Sequence, residues 1–132
     1  MTEYVLYTDG AYSRKRNSGG LAVIVLRDGK KVAQFSKKYL RTTNNRMELL
    51  AVIVGLEAIN KADKITIYSD SMYVIGCATM GWKRNKNIDL WNRFDKIPLL
   101  NICTFKHIKG HSDNYYNNLC DKLAVMASEL AD

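Results

Sequence analysis

Four acidic residues occur in sequence contexts where a structural role poorly explains a carboxylate. They follow or interrupt apolar segments of the chain, and they are Asp9, Glu48, Asp70 and Asp121. Carboxylates that a fold brings together repel one another strongly in a medium of low dielectric constant, unless a cation neutralises them. Hard divalent cations prefer oxygen ligands, and Mg²⁺ is the natural partner of such a group. The four acids therefore predict a carboxylate-lined site for Mg²⁺.

Each acid also has a purely structural interpretation. Asp9 could belong to a turn, and Asp70 could cap the helix that follows it. Glu48 completes an Asn45-x-x-Glu48 capping-box pattern near a helix start, and Asp121 could be an ordinary charge on a helix surface. We favour the chemical interpretation because the structural one requires four independent coincidences.

The composition indicates one basic domain that binds a polyanion. With 132 residues, 47% of them hydrophobic, the chain can bury a single core, and we expect one domain over residues 1–132. Lys and Arg number 20 against 13 Asp and Glu, a net charge of +7. Nucleic acid is the commonest partner of a small basic domain. A basic surface around an acidic metal site suits a nuclease, because the phosphates of the substrate complement the cations.

Targeting and redox signals favour a cytoplasmic protein without a membrane segment. The chain begins directly with a strand pattern rather than a leader, and its longest apolar stretch, Leu49 to Leu56, is too short to span a bilayer. Cys77, Cys103 and Cys120 lack CxxC spacing and lie among apolar neighbours. They are typical of buried, reduced thiols.

The elements that must position the acids can be read from periodicity. Alternation predicts strands from Glu3 to Thr8, Gly20 to Leu26 and Lys31 to Lys38, and Asp28-Gly29 predicts a tight hairpin between the last two. Later elements are predicted over 44–59 (helix), 64–69 (strand), 71–80 (helix), 87–97 (helix), 102–108 (strand) and 115–130 (helix).

This order, βββαβααβα, predicts an α/β fold with a five-stranded mixed sheet flanked by helices. The first three strands are expected to be antiparallel and the later ones parallel. Active sites of such sheets lie at the carboxyl ends of strands. Because Asp9 and Asp70 are both predicted to end strands, we expect them to lie side by side.

Six segments of the chain resemble the type 1 family of ribonuclease H, in the family's order and over nearly the whole length. They are Tyr7-Thr8-Asp9-Gly10-Ala11, Thr42-Thr43-Asn44-Asn45-Arg46-Met47-Glu48-Leu49, Ser69-Asp70-Ser71-x-Tyr73-Val74, Asn87-Ile88-Asp89-Leu90-Trp91, Lys109-Gly110-His111 and Asn117-x-x-Cys120-Asp121-x-Leu123-Ala124.

The resemblance implies a ribonuclease H-like fold and an endoribonuclease that hydrolyses the RNA strand of RNA–DNA hybrids without sequence specificity. It implies that Asp9, Glu48, Asp70 and Asp121 bind two Mg²⁺ ions, for which Mn²⁺ could substitute. It places His111 where a mobile histidine assists proton transfer or product departure, which suits a group that titrates near neutrality. The protein is expected to act as a monomer.

The same resemblance suggests residues that contact the hybrid. Asn44 and Asn45 match minor-groove contacts, and Arg41 and Thr43 match contacts to a phosphate of the DNA strand. The complete set of expected nucleic-acid contacts is Asn17, Arg41, Thr43, Asn44, Asn45, Lys83 and Arg84.

The chain departs from the family pattern at three places. Three cations, Arg14-Lys15-Arg16, follow the first strand, and Met72 replaces a polar residue. The basic insertion after the second helix is reduced to the segment 81–86. Two alternatives stay open. One is a DNA-directed exonuclease or integrase on a related fold, although a proofreading exonuclease would need a second acid where Ala11 stands. The other is a hybrid-binding module that has lost catalysis, against which the presence of all four acids argues.

Overall fold

The computed structural model describes residues 1–109 and 113–131, and within them the chain follows the predicted order βββαβααβα. The strands are β1 (Glu3–Ser13), β2 (Ser18–Arg27), β3 (Lys30–Leu40), β4 (Lys64–Ser69) and β5 (Cys103–His107). The helices are α1 (Asn44–Glu57), α2 (Met72–Thr79), α3 (Ile88–Asp95) and α4 (Tyr115–Ser128), and a 3₁₀ turn at Leu100–Ile102 precedes β5.

The five strands form one mixed sheet in the order β3-β2-β1-β4-β5. β1 pairs antiparallel with β2, and β2 with β3, whereas β1–β4 and β4–β5 are parallel. The predicted hairpin between β2 and β3 is confirmed, because Asp28 (φ 48°) and Gly29 (φ 86°) both have the positive φ values of a tight turn. The antiparallel and parallel strand pairings together confirm the predicted mixed sheet.

The first strand is longer than its sequence indicates. The expected end at Thr8 is wrong, because β1 continues to Ser13 and stays paired with β2 as far as Ser18. Asp9 therefore lies inside a strand, opposite Ala22. The Asp9-Gly10 pair gave a local turn signal, but the backbone hydrogen bonds of the neighbouring strand outweigh it.

Helices cover both faces of the sheet. Successive residues of β2 face opposite sides of the sheet. Leu21, Val23 and Val25 face the larger core under α1 and α3, whereas Ala22 and Ile24 face α4. The helix predicted over 44–59 is confirmed as α1, most of which is buried between Met47 and Leu56. None of the helices formed by the described residues combines the length and the hydrophobicity that a bilayer-spanning segment needs.

Candidate metal centre and nucleic-acid face

The parallel pairing of β1 with β4 aligns two of the acids. The last paired residues are Tyr7 and Tyr68. Asp9 lies two residues after Tyr7, and Asp70 lies two residues after Tyr68. Both are at the end of the sheet where the two strands separate. The Thr8 hydroxyl donates to the Tyr68 carbonyl at 3.2 Å and ties the two strands at this point. The expectation that the two aspartates lie side by side agrees with this register.

The third acid reaches the sheet because Gly10 has no side chain. A Cβ atom on Gly10 would lie 2.3 Å from the backbone nitrogen of Glu48 and 2.4 Å from the carbonyl carbon of Met47. Only glycine allows the two backbones to approach so closely. The first part of α1 therefore rests directly on β1, and Glu48 lies beside Asp9.

The structure does not support the structural explanations for these three acids. Thr43, not Asn45, caps α1, and its hydroxyl accepts from the backbone N–H of Arg46 at 3.1 Å. Glu48 is thus the fifth residue of the helix rather than a capping partner or a member of its first turn. The cap of α2 is Ser71, not Asp70. Asp9 lies within a strand, not in a turn.

Three of the predicted ligands converge. One carboxylate oxygen each from Asp9, Glu48 and Asp70 lies within 4.8 Å of the other two. Asp9 is only 3% exposed and Glu48 6%. Asp9 Oδ1 accepts from the Gly10 N–H at 2.9 Å. Its Oδ2 and Glu48 Oε2 are buried and find no hydrogen-bond donor among the described residues. Buried oxygens without a donor fit a cation better than they fit any structural role.

The pKa values of the three carboxyl groups also indicate a site for a cation. Burial raises the pKa of the Asp9 carboxyl from its ordinary 3.8 to about 8, and the charge of Asp70 adds to this effect. Burial, followed by the charges of Asp9 and Asp70, raises the pKa of Glu48 well above its ordinary value. The pKa of Asp70 is raised by its own burial and then by Asp121. Without a cation, the cluster therefore retains protons at neutral pH.

The fourth acid, Asp121, lies on α4 at the margin of this group. It is half-buried, and both its charge and its hydrogen-bonding contact contribute to the raised pKa of Asp9. It is not among the described residues whose oxygens share the 4.8 Å cluster. The neighbouring Cys120 holds α4 in place, because its thiol lies 3.3 Å from the carbonyl oxygens of Tyr7 and of Ala22.

Burial and the nearby carboxylates raise the pKa of the Cys120 thiol, so it stays protonated and is not a nucleophile. It is a packing and anchoring residue, whose position beside Asp121 could have suggested this role. His111 lies outside the described residues. A second histidine lies near the acids: His107 Nε2 is 3.2 Å from the Asp70 carbonyl oxygen.

A pocket of about 330 Å³ lies at the start of α1. Its lining includes Thr43, Asn44 and Asn45, three of the expected nucleic-acid contacts. Lys86 and Asn87, just before α3, line it as well. Sequence reasoning missed these two as contacts, although Lys86 closely follows Lys83 and Arg84, and Asn87 begins a family motif.

The other expected contacts lie elsewhere. Asn17 is in the turn between β1 and β2, where its side chain accepts from the Tyr12 hydroxyl. Arg41 is exposed, with a positive φ of 52°. Arg84 is already engaged within the chain: its Nη1 is 2.8 Å from Asp95 Oδ2, and its guanidinium lies 4.2 Å from the centre of the Trp91 ring. Trp91 itself is buried in the larger core.

Comparison with known proteins agrees with this arrangement. A ribonuclease H of Trichodesmium erythraeum (strain IMS101) is 43% identical over 150 aligned residues, which cover 99% of this chain and 92% of that protein. A ribonuclease H of Chlorobaculum parvum is 38% identical over 136 residues, covering 92% of each chain.

Two solved structures show the same fold. The RNase H1 of the halophilic archaeon Halobacterium salinarum NRC-1 superimposes with a TM-score of 0.76 at 27% identity, covering 95% of this chain and 96% of that one. LC11-RNase H1, solved in complex with an RNA/DNA hybrid, superimposes with a TM-score of 0.74 at 22% identity and 96% coverage of both chains. The sequence model of the RNase H family matches residues 1–129, and this chain therefore belongs to the RNase H family.

Proposed function

We propose that this protein is an endoribonuclease that hydrolyses the RNA strand of RNA–DNA hybrids, without sequence specificity, with two divalent cations held by its carboxylates. The observation that supports it most directly is the cluster of buried Asp9 and Glu48 with half-buried Asp70, in which two oxygens have no donor among the described residues. Membership of the RNase H family supplies the reaction class.

The proposed ligands are Asp9, Glu48 and Asp70, with Asp121 joining them from α4. When bound, Mg²⁺ would activate a water and stabilise the charge that develops on the leaving oxygen. Asp9 is fixed inside a strand and Asp70 directly follows one, so neither can retreat far from the other. This rigidity suits ligands that must hold their positions while the substrate binds and leaves.

Selection of RNA over DNA is proposed to begin at Glu48. A carboxylate held on a helix at the centre of the site can accept a hydrogen bond from a ribose 2′-OH, the group that distinguishes RNA from DNA. The exposed amides of Asn44 and Asn45 precede it on α1. Amides can bond to base edges of any sequence, which agrees with recognition by shape. His111 is proposed to assist proton transfer or product departure.

Contact with the nucleic-acid backbone is proposed for the pocket that Thr43 lines together with Lys86. Asn17, Arg41 and Lys83 stay proposed contacts outside that pocket. Arg84 stays one through its Nη2 group, because Nη1 pairs with Asp95 and Nε donates to the Cys77 carbonyl.

The test is a cleavage assay on three matched duplexes: RNA–DNA hybrid, double-stranded RNA and double-stranded DNA, each with Mg²⁺ and then with EDTA. We expect cleavage of the hybrid alone, in its RNA strand, and only with metal. Asp70→Asn keeps the side-chain shape but removes a charged ligand, so it should abolish cleavage. Asp28→Asn is the matched control, because it makes the same change in a turn distant from the cluster.

Two outcomes would contradict the proposal. Turnover of Asp70→Asn near that of the wild type would exclude the metal assignment. Metal-independent binding of hybrid without cleavage by the wild-type protein would favour the alternative of a binding module.

We further propose that the protein acts as a monomer in the cytoplasm. Cys77, Cys103 and Cys120 are all free, and burial raises the pKa of Cys103 to about 11. Unpaired, protonated thiols suit a reducing compartment.

A further inference from the structure

Asn87 has an unusual conformation directly before α3. Its backbone is left-handed, with φ 59° and ψ 36°, a region that residues with a Cβ rarely adopt, although asparagine does so more often than most. It occupies the cap position of α3, yet its side chain makes no capping hydrogen bond to that helix. The carboxamide is used in another way.

Two other helices hold that carboxamide at both ends. The oxygen Oδ1 accepts from Arg46 Nη1 of α1 at 3.2 Å, and the nitrogen Nδ2 donates to the Tyr73 hydroxyl of α2 at 3.0 Å. The two contacts fix both the rotation of the amide and the assignment of its two ends. Asn87 thereby connects the first turns of three helices.

Each of the two partners is itself held. The Tyr73 hydroxyl also accepts from the indole N–H of Trp91 at 2.9 Å, so both acceptor positions of its oxygen are used. The Tyr73 ring packs edge-on against the Trp91 ring, with centroids 6.0 Å apart. Arg46 donates to the two carboxylate oxygens of Asp89 at 2.9 and 2.8 Å, a bidentate pair with fixed geometry.

Asn87 is half-buried. Together with Lys86, Thr43, Asn44 and Asn45 it lines the pocket at the start of α1. The carboxamide retains a second N–H on Nδ2, since Tyr73 takes one of the two. That N–H and the Lys86 ammonium are donors suited to an anionic oxygen such as a backbone phosphate.

We propose that Tyr73 is a positioning residue for nucleic-acid binding: its hydroxyl holds the Asn87 amide with the free N–H toward the pocket. The inference rests on the proposed function of this face, and it adds a residue that acts through Asn87. Loss of one such hydrogen bond is worth about 0.5–1.5 kcal/mol, which corresponds to a roughly 2- to 12-fold change in an equilibrium constant. We therefore expect the effect in KM, because the metal cluster is formed by other residues.

The experiment is a double-mutant cycle on hybrid cleavage with Mg²⁺, made from Tyr73→Phe, Asn87→Gly and the combination. Glycine tolerates the left-handed backbone and removes only the amide. Tyr73→Phe should raise KM about 3- to 10-fold with kcat unchanged. Adding Tyr73→Phe to Asn87→Gly should cause no further rise in KM, because the two residues act as one unit.

Trp91→Phe is the matched control for loss of stability. It removes the other donor to the Tyr73 hydroxyl and loosens the core, but it leaves the bond to Asn87 in place. All variants are assayed well below their unfolding temperatures. Trp91→Phe should lower the unfolding temperature with KM near that of the wild type.

The outcomes separate this inference from the function on which it rests. If the wild-type protein did not cleave hybrid, the proposed function would fail. If it did, the positioning role would be refuted by an unchanged KM in Tyr73→Phe or by an equal rise in both backgrounds. A normal KM for Asn87→Gly alone would also refute it, even if Tyr73→Phe did not fold.

Discussion

Replacing Asp9 with asparagine should stabilise the metal-free protein while it removes metal binding and cleavage. Asp9 is buried, and the pKa of its carboxyl is raised from 3.8 to about 8. A group whose folded-state pKa lies above its unfolded-state pKa contributes stability below the unfolded value, and this is lost as pH rises toward the folded value. The wild-type protein should therefore lose stability between about pH 4 and about pH 8 when no metal is present.

The size of this loss of stability follows from the interval between the ordinary pKa of Asp9, 3.8, and neutral pH. Each pKa unit corresponds to 1.36 kcal/mol, so Asp9 alone lowers the free energy of unfolding by up to about 4 kcal/mol at roughly pH 7. Glu48 and Asp70 share the same repulsion, and we take about 2–4 kcal/mol as the part that Asp9→Asn recovers. In a domain of this size that difference corresponds to an increase in unfolding temperature of roughly 10 °C.

The assay is thermal unfolding in EDTA at several pH values between about 4 and 8, for wild type, Asp9→Asn and the turn control Asp28→Asn. Asparagine does not titrate, so Asp9→Asn should show a flatter pH profile than the other two proteins. Added Mg²⁺ should stabilise the wild type and Asp28→Asn in proportion to binding, but not Asp9→Asn. A wild-type profile without a fall toward pH 8, or an Asp9→Asn variant less stable than wild type at neutral pH, would refute the electrostatic argument.

Three further predictions concern the surroundings of the cluster. Neutralising Arg14, Lys15 and Arg16 together should raise KM and flatten the dependence of affinity on salt, with kcat nearly unchanged; an unaltered slope would place this turn away from the hybrid. His111→Ala should lower kcat by about 10²–10⁴-fold but leave measurable cleavage, and wild-type turnover across the pH range would leave His111 without a role. Gly10→Ala should lower the unfolding temperature and abolish cleavage, because its Cβ would lie 2.3 Å from the Glu48 nitrogen; a normal rate would show that α1 can shift without cost.

The sequence predicted the element order and the three converging acids because both depend on local patterns. The hydrophobic periodicity identified α1 and β4, and the family motifs located Asp9, Glu48 and Asp70. The predicted end of the first strand was wrong, because a contact with a distant part of the chain overrides a local signal there. The Asp9-Gly10 pair resembles a turn, but β2 keeps that segment in the sheet.

Side-chain partners were the least predictable feature. Arg84 was expected to contact nucleic acid, yet it pairs with Asp95 eleven residues later. Asn87 was noticed only as part of a motif, and its contacts with Arg46 and Tyr73 join residues 41 and 14 positions apart. Such pairs depend on how three helices are placed on one sheet, and no local pattern in the sequence encodes that placement.

The backbone contact beneath Gly10 has a mechanical consequence for the carboxylate cluster. Like charges would normally relax by moving apart, but Glu48 can withdraw from Asp9 only if α1 lifts from the strand. That movement would open the core around Leu49 and Ile53, both fully buried. We expect the cost of opening the core to exceed the relief of repulsion, which would keep the carboxylates at their spacing with or without a cation. The rigid spacing means that affinity for ions of different radius should be set by the packing of one helix on one strand.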